Sequence, residues 1–215
     1  FNYAALRQSL VAKGVHFKSA SDTEVLLQLY IHDKENCLHK LNGFFAFCIY
    51  DKVEQSFFLA RDRYGIKPLL YLFDEDKFLF GSEMKAIVQY GIDKSIDYSA
   101  LLTYLQLNYI PAPTSIFTHV KKLLPGHFMT VSRNQLSIHQ YYQIPYTAEA
   151  AQTTISYHDA KTRLHTLLDE AVQRRLVADV PLVSFLSGGI DSSVVTALAS
   201  RHKPDLQTFS IGYRD

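Results

Sequence analysis

Residues 187–193, Ser-Gly-Gly-Ile-Asp-Ser-Ser, gather three hydroxyls, two glycines and one carboxylate in one short stretch. A glycine pair allows a tight turn and leaves backbone N–H groups unshielded, so a ligand can approach the chain closely. N–H groups and hydroxyls collected this way suit a polyphosphate or another anion. Asp191 would repel bare phosphate; it fits such a site when a divalent cation lies between the two. The plainer alternative is an ordinary Gly-Gly turn with Asp191 and Ser192 capping a helix. No Gly-x-x-x-x-Gly-Lys-[Ser/Thr] and no Gly-x-Gly-x-x-Gly occurs in the chain, which excludes a P-loop and a dinucleotide turn.

The flanking residues supply the means of positioning this stretch. Leu182-Val183-Ser184-Phe185-Leu186 predicts a strand leading in, and Val194-Val195-Thr196-Ala197-Leu198-Ala199 an amphipathic helix leading out. That helix would aim its unpaired N-terminal donors at the same space. Upstream, Leu164, Leu167, Leu168, Ala171, Val172 and Leu176 recur at three- and four-residue intervals. They predict a long helix over 157–178, with Ser156 and Asp159 capping its start. Residues 207–212 predict a further strand. Helix, strand, helix, strand opens an α/β sheet. A lone parallel pair does not bury itself, so the expectation is a second domain of which these residues contain only the beginning.

Before residue 145 the periodicities differ. Residues 3–13 predict a helix with Tyr3, Leu6 and Leu10 on one face and Gly14 as its stop. Residues 15–18 read as a short extended piece. Ser21-Asp22-Thr23-Glu24 predicts the start of a second helix carrying Val25, Leu26, Leu29 and Tyr30, with Ser21 and Glu24 spaced as a capping box. Strands are expected within 41–51 and at 55–61, 69–73 and 77–80, the last two joined by a turn at Asp74-Glu75-Asp76. The second half of 41–51 is apolar on both alternating faces, so that strand should be covered on both sides. Residues 82–88 turn helical. Residues 97–107 predict a helix with Leu101, Leu102 and Leu105 inward, ended before Pro111 and Pro113. A hairpin is expected from 127–131 and 136–142 around Ser132-Arg133-Asn134-Gln135. Residues 145–155, largely small and polar without periodicity, read as a linker.

Composition bounds the partners. The 215 residues have room for one large domain or two modest ones, and 47% hydrophobic residues can build a real core. A balance of 22 basic against 21 acidic residues, with no long basic run, invites neither nucleic acid nor an anionic membrane. No apolar stretch approaches the roughly 18 residues of a membrane span. Cys37 and Cys48 make no disulfide framework, and no Cys/His spacing suggests zinc. Cys48 reads as a small core residue. A cytoplasmic location fits.

Residues 187–193 resemble the Ser-Gly-Gly-x-Asp-Ser pyrophosphate loop of the ATP pyrophosphatase superfamily, whose members adenylylate a carboxylate or carbonyl oxygen. Other motifs stand ahead of it in order: Ser21-Asp22-Thr23-Glu24, then Leu41-Asn42-Gly43-Phe44-Phe45-Ala46-Phe47, then Arg61-Asp62-Arg63-Tyr64-Gly65-Ile66-Lys67-Pro68-Leu69. Phe80-Gly81-Ser82-Glu83-Met84-Lys85-Ala86, Leu124-Pro125-Gly126-His127 and Asp179-Val180-Pro181 follow. Together they resemble the B-type, glutamine-dependent asparagine synthetase family over essentially the whole chain.

That resemblance implies an α+β N-terminal-nucleophile hydrolase sandwich, layered αββα, as a class II glutaminase domain over residues 1–144. After the linker at 145–155, residues 156–215 would begin an α/β ATP-pyrophosphatase domain. Glutamine would be hydrolysed to glutamate and ammonia in the first domain. In the second, ATP and Mg2+ would serve to adenylylate aspartate, and ammonia would displace AMP to give asparagine. Asp22 would pair with the α-ammonium of glutamine; its alternative role is a helix-start carboxylate favoured by the dipole. Ser187, Gly188, Gly189, Asp191, Ser192 and Ser193 would hold pyrophosphate, with Asp191 on magnesium. Leu186 would pack near adenosine and Ile211 would hold adenine, though both also suit an ordinary strand. Arg61, Asp62, Arg63 and Lys67 make a solvated loop by composition, while the resemblance favours structural salt bridging there. Glu83 is likewise a helix-start carboxylate, without a catalytic role.

In the family the nucleophile is an N-terminal cysteine, and Phe1-Asn2 resembles the end of a later Asn-Gly-Glu-Ile-Tyr-Asn segment. Neither Cys37 nor Cys48 has a free amine as its base. No catalytic residue is therefore assigned, and these residues alone are expected not to hydrolyse glutamine. The implied partners are glutamine, aspartate and ATP, with a homodimer by analogy. The nearest rival is a relative that closes a β-lactam ring or amidates another carboxylate. A rival of another class is a non-catalytic scaffold or regulatory module, against which the intact 187–193 stretch and Asp22 both speak.

Overall fold

Alternation along one strand organises the larger part of the molecule. In Ser56–Arg61 (β2), Phe58 and Ala60 pack into one core while Phe57 and Leu59 pack into another. Period-two placement of this kind requires cover on both faces of the sheet. The computed structural model describes residues 1–133, 135–146, 154–178 and 180–212. Its chain divides into two compact units, Tyr3–Pro145 and Tyr146–Asp215, the second including Phe1–Asn2.

Helices Tyr3–Ala12 (α1), Asp22–Asp33 (α2) and Cys37–Lys40 (α3) open the larger unit. Strand Ala46–Asp51 (β1) pairs antiparallel with β2, which pairs with His127–Ser132 (β6) and that with Gln135–Gln140 (β7). A second antiparallel sheet has the order β4-β3-β5, from Phe78–Gly81, Leu70–Phe73 and Lys121–Lys122. Three cores separate the layers. Leu10, Val25, Leu29, Cys37 and Leu38 of the helices meet Phe58 and Ala60 on the outer face of the first sheet. Leu59, Met129 and Val131 meet Leu69, Leu123 and the partly buried Tyr71 and Phe73 between the sheets. Leu70 and Leu72, on the far face of the second sheet, meet Ile87 of helix Met84–Val88 (α4), with Ile92 and Val120. Helices, sheet, sheet, helix: this is the αββα layering. Phe47 and Ile49 of β1 join the helix-side core while Ala46 and Cys48 join the inter-sheet core, so β1 is covered on both sides.

Several local expectations are corrected. Helix Tyr98–Leu107 (α5) is capped by Asp97, whose side chain accepts from Ser99 and Ala100 N–H. It buries Ala100, not Leu102 or Leu105, which are 58% and 69% exposed. Leu101, the third leucine expected inward, is partly buried. Asp74 organises its hairpin as expected, accepting from Asp76 and Lys77 N–H at 3.1 and 2.9 Å. Asn134, in the other predicted turn, lies outside the described residues, as do 147–153 of the expected linker, and Asp179.

In the smaller unit, helix Tyr157–Arg175 (α6) starts at Ser156, whose hydroxyl accepts from Asp159 N–H at 3.1 Å. Strands Val183–Phe185 (β8) and Gln207–Phe209 (β9) pair in parallel, and helix Ile190–His202 (α7) connects them. The α6–α7 contact buries Val172, Leu198 and Ala199. Of the apolar residues whose spacing predicts this helix, Leu164, Leu167 and Leu168 are exposed, and the helix ends at Arg175 rather than at 178. A two-stranded sheet offers too little surface to cover them. Phe185 and Phe209 are likewise 72% and 52% exposed. Among the described residues no helix is long and apolar enough to cross a membrane.

Candidate functional site

Gly188 turns the chain with φ +82°, a conformation other residues adopt only under strain, and nothing lies within 4 Å of where its Cβ would be. Gly189 then takes the N-cap position in extended conformation and, lacking a side chain, makes no side-chain cap hydrogen bond. The helix therefore begins at Ile190, earlier than the apolar pattern suggests. Asp191, Ser192 and Ser193 ride on its first turn instead of capping it. First-turn N–H groups without a side-chain cap, and the positive end of the helix dipole, are left available to an anion.

The hydroxyls are held by the turn itself. Ser187 Oγ and Ser192 Oγ are 3.0 Å apart, and Ser192 and Ser193 hydroxyls donate to the Gly189 carbonyl at 3.1 and 2.8 Å. The strand side is fixed by Leu186, whose N–H donates to Phe209 C=O at 2.8 Å and whose carbonyl accepts from Ser210 Oγ at 2.7 Å. Ser184 Oγ and Thr196 Oγ1, 2.8 Å apart, tie β8 to α7. Ile211 lies just past β9, 81% exposed. Leu186, Ser187, Gly188, Gly189, Asp191, Ser192 and Ser193 thus share one turn, with Ile211 following the strand paired to it.

This donor set fits a magnesium polyphosphate. Among the described residues no three His, Cys, Asp or Glu side chains are grouped to hold a metal ion. Asp191 alone would supply a protein carboxylate, and Mg2+ habitually takes one or two carboxylates and completes its shell with phosphate oxygens and water. An apolar cavity of about 330 Å3 lies elsewhere in this unit, lined by Val172, Leu176, Val183, Val195 and Leu206 among others. It belongs to the packing of α6 on β8 and α7, not to the glycine turn.

In the larger unit Asp22 is exposed at the first position of α2, next to the N-cap Ser21, whose hydroxyl accepts from Thr23 N–H at 3.1 Å. Glu24 does not close on Ser21 as a simple capping box would. It accepts from the N–H groups of Lys18 and Ser19 at 2.7 and 2.6 Å and from Ser19 Oγ at 2.6 Å.

The charged loop at 61–67 also departs from expectation. Asp62 is almost completely buried, and its carboxylate accepts from three backbone N–H groups, those of Tyr64, Ile66 and Lys67, at 3.1, 3.0 and 2.9 Å. Its own carbonyl accepts from Gly65 and Gly126 N–H. Arg61 donates to the carbonyls of Lys67, Gly65 and Leu123, and burial lowers its pKa. Arg63 donates to Leu41 and His39 carbonyls. The expected salt bridging is absent in this loop among the described residues: Arg61, Asp62 and Arg63 spend their charges on backbone groups instead. Gly65 and Gly126, both at positive φ, allow the close approach: a Cβ would come 2.8 Å from Pro125 Cγ at the first and 2.5 Å from Tyr142 O at the second. Asp62 as the hub of this loop was missed. Its signal was an Asp in a Gly-containing loop, where an Asx-turn side chain accepts from the backbone N–H two residues on, here Tyr64. Glu83 caps nothing with its side chain and pairs with Lys85 at the surface.

Residues 1–142 match the family model of the glutamine amidotransferase domain, and residues 163–215 that of asparagine synthase. Among curated relatives, glutamine-hydrolysing asparagine synthetase 3 of Bacillus subtilis is 40% identical, covering 100% of this chain and 36% of its own. Asparagine synthetase 1 of the same organism is 37% identical over 99% of this chain and 33% of its own. The chain thus spans about a third of the length of these relatives. A solved allosteric regulatory enzyme of purine biosynthesis, 19% identical with a TM-score of 0.50, covers 97% of this chain and 42% of that one and is similar in fold alone.

Proposed function

The chain belongs to the glutamine amidotransferase domain family, and from that premise we propose that it forms part of a glutamine-dependent asparagine synthetase. Residues 1–144 make the glutaminase domain, 145–155 the linker and 156–215 the start of the ATP-dependent synthetase domain. The observation that carries this is the union of an αββα sandwich with an uncapped Ser-Gly-Gly-Ile-Asp-Ser helix start in one chain. The similarity to the two Bacillus enzymes supports the same assignment.

Asp22 binds the α-ammonium of glutamine through a charge-assisted contact. In the other half, backbone N–H groups of the turn and the hydroxyls of Ser187, Ser192 and Ser193 hold the pyrophosphate of ATP. Gly188 and Gly189 let it approach, while Leu186 and Ile211 flank the adenosine. Asp191 holds magnesium, which when bound offsets the negative charge of the phosphates. A carboxylate is a poor electrophile until one oxygen becomes a leaving group. Adenylylation of the aspartate side chain with release of pyrophosphate provides that, and ammonia then displaces AMP. The enzyme works in the cytoplasm.

The test is pyrophosphate release by the full-length protein with ATP and magnesium. Release that requires aspartate, and yields asparagine with either glutamine or ammonia, supports the assignment. Release driven by a different carboxylate, with aspartate inert, overturns it in favour of another amidating enzyme. No release in the presence of any carboxylate would favour a non-catalytic module.

A further inference from the structure

Glu24 carries more hydrogen bonds than a helix cap needs. It stands at the third position of α2, where a capping-box glutamate would reach back to the N-cap N–H. Here Ser19 is interposed: Ser21 N–H donates to Ser19 Oγ at 3.3 Å, and Ser19 Oγ donates to Glu24 Oε2 at 2.6 Å. The same carboxylate takes the Lys18 and Ser19 N–H groups. Those bonds, led by the one from Lys18, hold its pKa below the usual carboxylate range. The segment is also gripped from α1. Arg7 donates to the Ser19 carbonyl at 2.6 Å and lies 4.3 Å over the ring of Phe17, which packs against the helix-side core.

Residues 17–21 are therefore tied to both helices, and Asp22 is the next residue along. We infer that Glu24 is a positioning residue for glutamine recognition: by fixing residues 18–21 it fixes where the Asp22 carboxylate stands. This rests on the assignment of Asp22 to the α-ammonium of glutamine. An isosteric glutamine keeps one acceptor oxygen and turns an NH2 group toward backbone N–H donors, so the three-donor clasp cannot re-form.

The experiment compares Glu24→Gln, Glu24→Ala and Asp22→Asn in the full amidotransferase. Two substrates are used, glutamine and glutaramate, which is glutamine without its α-amino group. Ammonia-dependent synthesis, which bypasses the glutaminase site, serves as the fold control. Glu24→Gln is expected to raise KM for glutamine about tenfold, with kcat and the ammonia-dependent rate little changed. Hydrolysis of glutaramate should fall far less, so preference for the α-ammonium collapses. If Asp22→Asn raises KM for glutamine while both Glu24 variants keep it, the positioning role is overturned and the role of Asp22 stands. If Asp22→Asn leaves KM unchanged, the assignment of Asp22 fails and the inference with it. Equal losses on both substrates would mark Glu24 as structural only and also overturn the inference. Should Glu24→Ala misfold, the isosteric Glu24→Gln decides.

Discussion

The hydroxyls of Ser187 and Ser192 face each other at 3.0 Å across the glycine turn. One hydroxyl is spent on the other, and hydroxyl hydrogens rotate freely to new acceptors. The pair ties the end of the strand to the first turn of the helix; in the proposed site both hydroxyls would turn to phosphate oxygens.

The two glycines beneath this pair should respond differently to alanine. Gly188→Ala meets no neighbour but must adopt φ +82°, at a cost of about 1–2 kcal/mol. Gly189→Ala keeps an ordinary φ of −77° and places its Cβ 3.7 Å from Ser187 Oγ. Its stability loss should be about 1 kcal/mol or less, while a methyl group at the floor of the turn weakens ATP–magnesium binding about tenfold. Urea unfolding and calorimetric titration of the two variants separate these outcomes.

Asp62→Asn should destabilise the larger unit by about 2–4 kcal/mol. Three backbone N–H groups converge on the buried carboxylate, and an amide must turn a donor toward one of them. The check is the urea midpoint with unchanged slope. A shift below about 0.5 kcal/mol would mean that the loop does not depend on Asp62.

Burial pushes the Cys37 thiol up to about 12 and the Cys48 thiol up to about 11. Tyr71 and Tyr141 are raised by burial too. A group whose pKa is raised by folding contributes stability that is complete below its unfolded value and lost as pH climbs through the folded one. The fold should therefore weaken progressively above about pH 9, from the ordinary thiol range upward. Both thiols should resist alkylation at pH 8 in the native state and react on unfolding. Rapid labelling of native Cys37 would contradict its burial.

Leu59→Ala and Leu105→Ala are the same chemical change in opposite surroundings. Leu59 is completely buried between the sheets, and Leu105 is 69% exposed on α5. The first should cost about 2–5 kcal/mol and the second about 0.5 kcal/mol or less. A large effect at Leu105 would point to a face that is covered in solution.

The sequence carried the sheets well because strand pattern and cover reinforce each other. Phe57-Phe58-Leu59-Ala60 is apolar on both faces, and both faces are buried. It carried the glycine turn because glycine at positive φ and serines at its flanks are local requirements. Orientation of amphipathic helices was less legible. A leucine stripe says that a face is apolar, not that a partner covers it, and α5 and α6 both leave leucines outside. The loop at 61–67 was misread because charged residues suggest mutual pairing. Whether a guanidinium finds a carboxylate or three carbonyls is settled by backbone path, which no short pattern encodes.

The way Arg61 and Asp62 spend their charges bears on ionic strength. Dissolved ions screen exposed charges over about 8 Å at physiological salt and reach buried groups much less. The 61–67 loop is held by short hydrogen bonds to backbone groups, with Asp62 sealed from solvent, so concentrated salt should leave its conformation alone. The α6–α7 seam includes a partly exposed pair, His202 with Asp169, and α6 carries the surface pair Arg174–Glu170. Added salt would screen the exposed Arg174–Glu170 pair, while the apolar α6–α7 core of Val172, Leu198 and Ala199 would hold.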